Sequence, residues 1–370
     1  MKTVFVNYYS ENNFGDDLFL RVLLDRYPTT AFYTCSPRSN LQANVERNNL
    51  ISIYPGHVTT ERKSNPLSKL MIKIRLTIAR FKAIKRSDCF IDIGGSIYIE
   101  PDAKYKAAKN FLKKAADYKL AQSVYVLGAN FGPWKTKHWI RSFSKLFNSE
   151  CEDICFRDHA STNLFRSLNN VRYAPDLLFS YPVIRQKKNK KILFSVIDYS
   201  SWCRPNELKQ YRENYERWIL NSAKLFSKLN YVITICSFCK FEGDEDAVNR
   251  ISEVLLDAGI RSHKLFYAGN IDEIVSEIAS SEILVASRFH AFILGLSAGC
   301  KVIPVPYSKK TVNVMNDIGF PSSKSFDPST QSSDDLSMYS DAFDAEALDV
   351  TRLSREAEGH FAALDRVLCN

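Results

Sequence analysis

Short apolar runs alternate with amphipathic stretches along most of the chain. In the first half, Thr3 to Asn7, Cys89 to Ile93, Ser123 to Leu127 and Asp153 to Phe156 are brief and rich in Val, Ile, Phe and Tyr, as buried parallel strands are. After the first of them, Leu18, Val22 and Leu23 fall at helical spacing, which predicts a helix from Asp16 to about Tyr27. Asp16 and Asp17 stand at its start, where carboxylates satisfy free N–H groups and suit the helix dipole.

A charged run, Arg185-Gln186-Lys187-Lys188-Asn189-Lys190-Lys191, interrupts the pattern and reads as a linker over 183–191. A second series follows. Its strands are Ile192 to Val196, Tyr231 to Ile235, Lys264 to Tyr267, Ile283 to Ala286 and Val302 to Val305, with helices near 206–229, 245–258, 271–280, 289–298 and 309–318. Strand and helix alternating in this way predict an α/β protein of two Rossmann-like domains, residues 1–182 and 192–320, facing across a cleft. The remainder, 321–370, is expected to be an acidic, Ser-rich loop over 321–343 followed by a helix near 345–368 bearing Leu348, Leu353, Phe361 and Leu364.

A length of 370 residues fits two cores better than one. The longest apolar runs, such as Ala291 to Leu296, are too short to cross a bilayer, and Thr3-Val4-Phe5-Val6 begins strand-like with no basic-then-apolar leader. Nine scattered cysteines suit buried thiols in a reducing cytosol. Cys151/Cys155 and Cys236/Cys239 have metal-like spacing, but neither pair is completed by a second CxxC or an HxxxH, so no metal is expected. The formal charge of +9 is uneven: residues 1–190 hold 31 Lys+Arg against 16 Asp+Glu, and the rest hold 19 against 25. The first half should therefore attract something anionic.

Much of that excess lies in residues 62–86, with nine Lys/Arg and no acid. Leu67, Leu70, Met71, Ile74, Ile78 and Phe81 form one stripe, flanked by Lys69, Lys73, Arg80 and Lys82. Two readings fit: a helix lying on an anionic membrane surface, or a helix packing its stripe on the core with its cations in water. No nucleic-acid-binding motif is present.

Ligands of doubly wound sheets bind beyond the carboxyl ends of the strands, so residues just past strand ends carry the candidate chemistry. Asn13, Gly15, Asp16 and Asp17 follow the first strand; the two acids favour a sugar hydroxyl over a phosphate. Gly94 and Gly95 permit close approach of a ligand, without forming a dinucleotide fingerprint or a Walker loop. Arg157 leaves another strand as a fork for carboxylate or phosphate. Asp176 ends the strand after it. Ser287, Arg288, Phe289 and His290 join a buried strand to a helix that is apolar almost all round. A cation and an imidazole there need a partner or a task. Tyr307 and Lys309 lie past the next strand.

In their order, these segments resemble the polysaccharide pyruvyl transferase family: Asn13-Phe14-Gly15-Asp16-Asp17, Asp92-Ile93-Gly94-Gly95, Arg157-Asp158-His159-Ala160-Ser161, Pro175-Asp176, and Ser287-Arg288-Phe289-His290-Ala291 with Tyr307 and Lys309. Ser96 departs from a third glycine, and Cys300-Lys301 from a Val-Pro-like pair. The resemblance implies a glycosyltransferase-B-like fold and transfer of a pyruvyl group from phosphoenolpyruvate to a sugar, yielding a cyclic ketal. It implies His290 as general acid and Arg157 and Arg288 as anion-binding residues. Asp16 or Asp17 is placed to accept a hydroxyl proton, and no cofactor beyond the donor substrate is called for. A lipid-linked sugar acceptor at the inner face of the plasma membrane would give the basic helix a purpose. A nucleotide-sugar glycosyltransferase of the same fold and a non-catalytic polysaccharide-assembly protein are the alternatives.

Overall fold

The computed structural model describes residues 1–54, 66–344 and 348–369. Residues 62–65 of the basic stretch and 345–347 of the expected last helix lie outside them. The chain divides into two compact units: residues 1–10, 19–177 and 358–370, and residues 11–18 and 178–357.

The first unit is built on β1 (Thr3–Asn7), α1 (Phe14–Arg26, whose first residues count with the second unit), β2 (Ala31–Thr34), β3 (Leu50–Ser52), α2 (Pro66–Arg86), β4 (Cys89–Ile93), α3 (Lys104–Leu120), β5 (Val124–Ala129), α4 (Lys137–Glu150), β6 (Asp153–Phe156), α5 (His159–Leu164) and β7 (Val171–Tyr173). Its seven strands run in the order β3-β2-β1-β4-β5-β6-β7, every neighbouring pair parallel. Strands β4 and β5 are buried throughout, which is why their sequences read as continuous apolar runs.

The second unit contains β8 (Asn189–Ser195), α6 (Arg212–Lys228), β9 (Val232–Cys236), α7 (Asp244–Asp257), β10 (His263–Leu265), α8 (Ile271–Ser280), β11 (Ser281–Ala286), α9 (Phe289–Ser297), β12 (Lys301–Pro304), α10 (Lys309–Asp317), α11 (Ser337–Asp344) and α12 (Val350–Ala357). Its parallel sheet has the order β10-β9-β8-β11-β12. Strand order reverses between β1 and β4 in one sheet and between β8 and β11 in the other, and at such switch points doubly wound folds hold their ligands. The last helix, α13 (Ala362–Leu368), counts with the first unit.

Three expectations change. The charged run over 183–191 is not a free linker: the units divide at Leu177/Leu178, and β8 already starts at Asn189. Lys191 pairs with Glu277 at 2.8 Å and Lys188 donates to the Ala279 carbonyl at 2.8 Å, so the run is anchored along α8. Residues 321–343 are not a surface loop. Phe326 and Met338 are fully buried, and the Trp218 ring stacks on Phe326 with centroids 4.2 Å apart, so the segment closes the core of the second unit. The single terminal helix is two helices with a turn between them, and its last part docks on the first unit. There Arg26 grips Asp365 through two bonds of 3.0 and 2.7 Å and lies 4.4 Å over the Phe361 ring.

Candidate active site

In the second unit, Ser287 and Arg288 follow β11 at the switch point. Their backbone N–H groups donate to the Ser195 carbonyl (3.1 Å) and the Ser195 hydroxyl (3.2 Å) at the end of β8. The Ser287 hydroxyl lies 2.8 Å from the Tyr215 hydroxyl. The turn is thus fixed to the neighbouring strand before α9 begins. That helix packs so closely that a Cβ on Gly295 would stand 2.4 Å from a Leu284 methyl.

Arg288 is buried, and two carboxylates hold its charge. Its Nε donates to Asp244 Oδ2 at 2.7 Å, one terminal nitrogen reaches Asp244 Oδ1, and the other reaches Glu242 Oε2 at 2.5 Å. Burial opposes the guanidinium charge, but Asp244 and Glu242 raise its pKa well above the ordinary value. Burial likewise pushes Glu242 up, yet Arg288 and Arg204 outweigh it and hold the carboxyl at about 2. Asp244 also accepts the N–H groups of Phe238 (3.1 Å) and Cys239 (2.9 Å). Three of the five guanidinium N–H groups are used this way, which sets the plane and leaves two donors. The expected anion-binding arginine is therefore an arginine already clamped by acids.

Cys239 leads to the first motif of the sequence. Asn13 forms a β-bridge with Cys239, Phe14 N–H donates to the Phe238 carbonyl at 2.9 Å, and the Asn13 side chain accepts Gly15 N–H at 3.1 Å. Asp17 is buried and accepts the Tyr267 hydroxyl at 2.7 Å; Asp16, also buried, sits beside it in the first turn of α1. Gly15 is where this segment meets His290. A Cβ there would stand 1.5 Å from His290 Nδ1, so the half-buried imidazole lies in the space a side chain would fill. Asn13, Gly15, Asp17, Arg288 and His290 are thus gathered around the loop after β9.

Tyr307 joins them from the end of β12. Arg204 lies 4.6 Å over its ring. Burial pushes the Tyr307 phenol up, but Lys310, Arg204 and Arg288 outweigh it and leave the group below its ordinary value. Phe289 is buried with its ring 5.2 Å from the His290 ring, edge to face. Lys309 opens α10 and is exposed.

The other named residues cluster in the first unit. Arg157 is buried past β6, donates to Asp176 Oδ2 at 2.9 Å and to Asn130 Oδ1 at 2.8 Å, and lies against Gly95, where a Cβ would stand 2.6 Å from its terminal nitrogen. Gly94 has φ +145°, a conformation other residues avoid. Asp158 caps α5 by accepting Ser161 N–H at 2.6 Å, and His159 stacks on Tyr173 with centroids 3.8 Å apart. Asp92, fully buried beside the β1/β4 switch point, accepts Asn7 Nδ2 (2.8 Å), the Tyr118 hydroxyl (2.6 Å) and Lys114 Nζ.

Four participants are not among the expected residues: Asp244 and Glu242, Asn130, and His360. The imidazole of His360 is buried in the turn before α13. Its Nε2 lies 2.8 Å from the Pro175 carbonyl, and its Nδ1 accepts Gly128 N–H at 3.3 Å, so Nε2 carries the proton. Burial lowers its pKa to about 3. Only Glu242-Gly243-Asp244, an acidic start to a helix, was open to notice, and it reads as a cap.

Cys151, Cys155, Cys236 and Cys239 are buried, and burial pushes the Cys155 and Cys239 thiols up to about 12. Among the described residues no three His, Cys, Asp or Glu side chains gather as a metal site requires.

Solved structures of similar fold cover the whole chain. A structure of Anabaena Alr3699/HepE in complex with UDP and glucose matches 100% of this chain and 98% of its own, at 11% identity and a TM-score of 0.59. A putative UDP-N-acetylglucosamine 2-epimerase from Listeria monocytogenes matches at 9% identity and 0.59, over 99% of this chain and 94% of its own. The UDP-GlcNAc 2-epimerase from Neisseria meningitidis, bound to UDP-GlcNAc, matches at 12% identity and 0.54 over 100% of both chains. The fold is glycosyltransferase-B-like, with two Rossmann-like α/β units. No protein of curated function matches the sequence. The model of one sequence family, polysaccharide pyruvyl transferase, matches residues 13–309, a span running from the Asn13–Gly15 turn to Lys309, and the chain belongs to that family of transferases.

Proposed function

We propose that the protein transfers a pyruvyl group from phosphoenolpyruvate to a sugar of a cell-surface polysaccharide or its lipid-linked precursor, with His290 as general acid. The observation that carries this reading is the imidazole seated in the Gly15 notch, at the N-terminus of a buried helix and two residues from a clamped arginine. His290 gives a proton to the methylene carbon of the donor, which becomes a methyl group, and positive charge develops on the adjacent carbon. A sugar hydroxyl adds there. Phosphate leaves with its bonding pair, and a second hydroxyl closes the ketal. Of the two hydroxyl protons released, one balances the proton now on carbon and the other leaves on phosphate. Asp16 or Asp17 serves as base.

Arg288, through its two remaining donors, and Lys309 bind anionic groups of the donor, and Arg157 is an anion-binding residue of the first unit. Gly94, Gly95 and Gly15 keep backbone close to the ligands. Asn13 and Ser287 fix the turns, and Phe289 and Tyr307 line the donor position. The acceptor is met at the cytoplasmic face of the plasma membrane.

Purified protein incubated with phosphoenolpyruvate and lipid-linked sugars tests this. Phosphate released only when acceptor is present supports it. Because HepE is seen with UDP and glucose, a nucleotide-sugar donor is the second reading, and turnover confined to nucleotide sugars would overturn the first. A purely assembly role predicts that His290→Ala leaves biological activity intact.

A further inference from the structure

Helix α2 is apolar on two sides, and only one of them is packed among the described residues. Ile84 is buried, and Ile72, Leu76, Ala79 and Ala83 are half-buried on the face turned to the unit. Leu67, Leu70, Met71, Ile74, Ile78 and Phe81 lie on the opposite face, each between 45% and 64% exposed. At about 100° per residue these six fall in one stripe roughly 100° wide. The stripe evident in the sequence is therefore the outward one, so it is not what packs the helix on the core. One flanking cation is turned in: Arg80 binds Asp117 of α3 at 3.0 and 2.7 Å and lies 4.9 Å over the Phe5 ring.

Helix α3, packed beside α2, repeats the design. Tyr105 and Leu112 are 70% and 65% exposed and share an outward face with Lys109. Across 66–86 and 104–120 there are 13 Lys/Arg and a single acid, Asp117, which Arg80 already neutralises.

We infer that the outward faces of α2 and α3 form a docking surface for an anionic lipid bilayer. Apolar side chains of this length reach the boundary between headgroups and acyl chains, while surrounding lysines meet lipid phosphates. A second copy of the chain is disfavoured as occupant, because two such surfaces would bring like charges together. No described helix is long and apolar enough to cross a membrane, so the surface would lie on the bilayer. This goes beyond the proposed transfer chemistry and does not depend on it.

Flotation of the full-length protein tests it, with vesicles of phosphatidylcholine alone and of phosphatidylcholine mixed with phosphatidylglycerol. The protein should float with the anionic vesicles only, and less so as salt rises. Both Ile74→Ser/Ile78→Ser and Lys73→Gln/Lys82→Gln/Lys85→Gln should lower the bound-to-free ratio by at least about tenfold, with far-UV circular dichroism unchanged. Absence of flotation with anionic vesicles, or flotation of either variant equal to that of wild type, overturns the inference. So does a concentration-dependent dimer that Ile74→Ser/Ile78→Ser abolishes in protein that binds no lipid. The readout uses neither donor nor acceptor, so its failure leaves the transfer reading standing, and the converse holds.

Discussion

Acid should weaken the first unit through His360. The imidazole is buried and neutral in the folded protein, with its pKa lowered to about 3, while an unfolded chain offers about 6.5. Between those values the unfolded chain binds a proton that the native one refuses, so stability falls as pH drops below 6.5 and is independent of this group above it. At pH 5 the loss is roughly 1.4 kcal/mol times 1.5 pH units, about 2 kcal/mol, and any native pKa below about 4 gives the same figure. Near pH 3 it reaches about 4 kcal/mol. The cause is local: protonating Nδ1 would set an N–H against the N–H of Gly128 in a buried place. The perturbation is His360→Gln, which keeps a donor and an acceptor but does not titrate. Urea unfolding followed by hydrogen exchange at the amides of β5 should show the variant weaker at pH 8 by about 1–3 kcal/mol, from poorer bonds to Pro175 and Gly128. Between pH 8 and pH 5 wild type should then lose about 2 kcal/mol more than the variant. Equal losses in the two proteins would refute the assignment, because every other titrating group is common to both.

Two further substitutions bear on the second unit. Gly15→Ala places a methyl 1.5 Å from His290 Nδ1 in a helical position that alanine suits, so the ring rather than the backbone should move. Transfer should fall by at least about 100-fold in kcat/KM with the melting temperature little changed, and near-normal activity would show that the notch does not position the imidazole. Asp244→Ala leaves Arg288 buried with half its partners and also orphans two backbone N–H groups, which should cost about 3–5 kcal/mol by chemical denaturation; a cost under about 1 kcal/mol would show that Arg288 is not held as described.

What was legible in the sequence follows from range. Runs such as Cys89 to Ile93 are buried on both faces, and their apolar continuity is a local signal; the structure places β4 on the same residues. Strands β2, β3 and β7 have three or four residues and no long apolar run, and they form only because a longer neighbour offers a ladder. Residues 321–343 misled for a related reason: Ser, Asp and Pro set the average, while Phe326, Met338 and Tyr339 do the burying. Among the candidate residues, those past strand ends are legible because doubly wound topology puts ligands there. The groups that hold them are not, since Asp244 is 44 residues from Arg288 and His360 is 185 from Pro175. No periodicity links positions so far apart.

Both clusters use one device. In each unit a glycine leaves a gap the width of a side chain, and a polar side chain lies in it: His290 against Gly15 in the first turn of α1, the Arg157 guanidinium against Gly95 after β4. In each cluster a buried carboxylate fixes the geometry of an arginine. Asp244 holds Arg288, and it also holds the loop that carries Asn13 and Gly15. Asp176 holds Arg157, and the neutral His360 holds the carbonyl of Pro175, the residue before Asp176. A buried arginine facing an anion alone would be costly in the empty protein; one already paired keeps its charge and plane at little cost and offers its remaining N–H groups. The pairing therefore favours orientation over raw attraction. On that basis, replacing Asp176 or Asp244 should alter the placement of a bound anion more than the net charge around it.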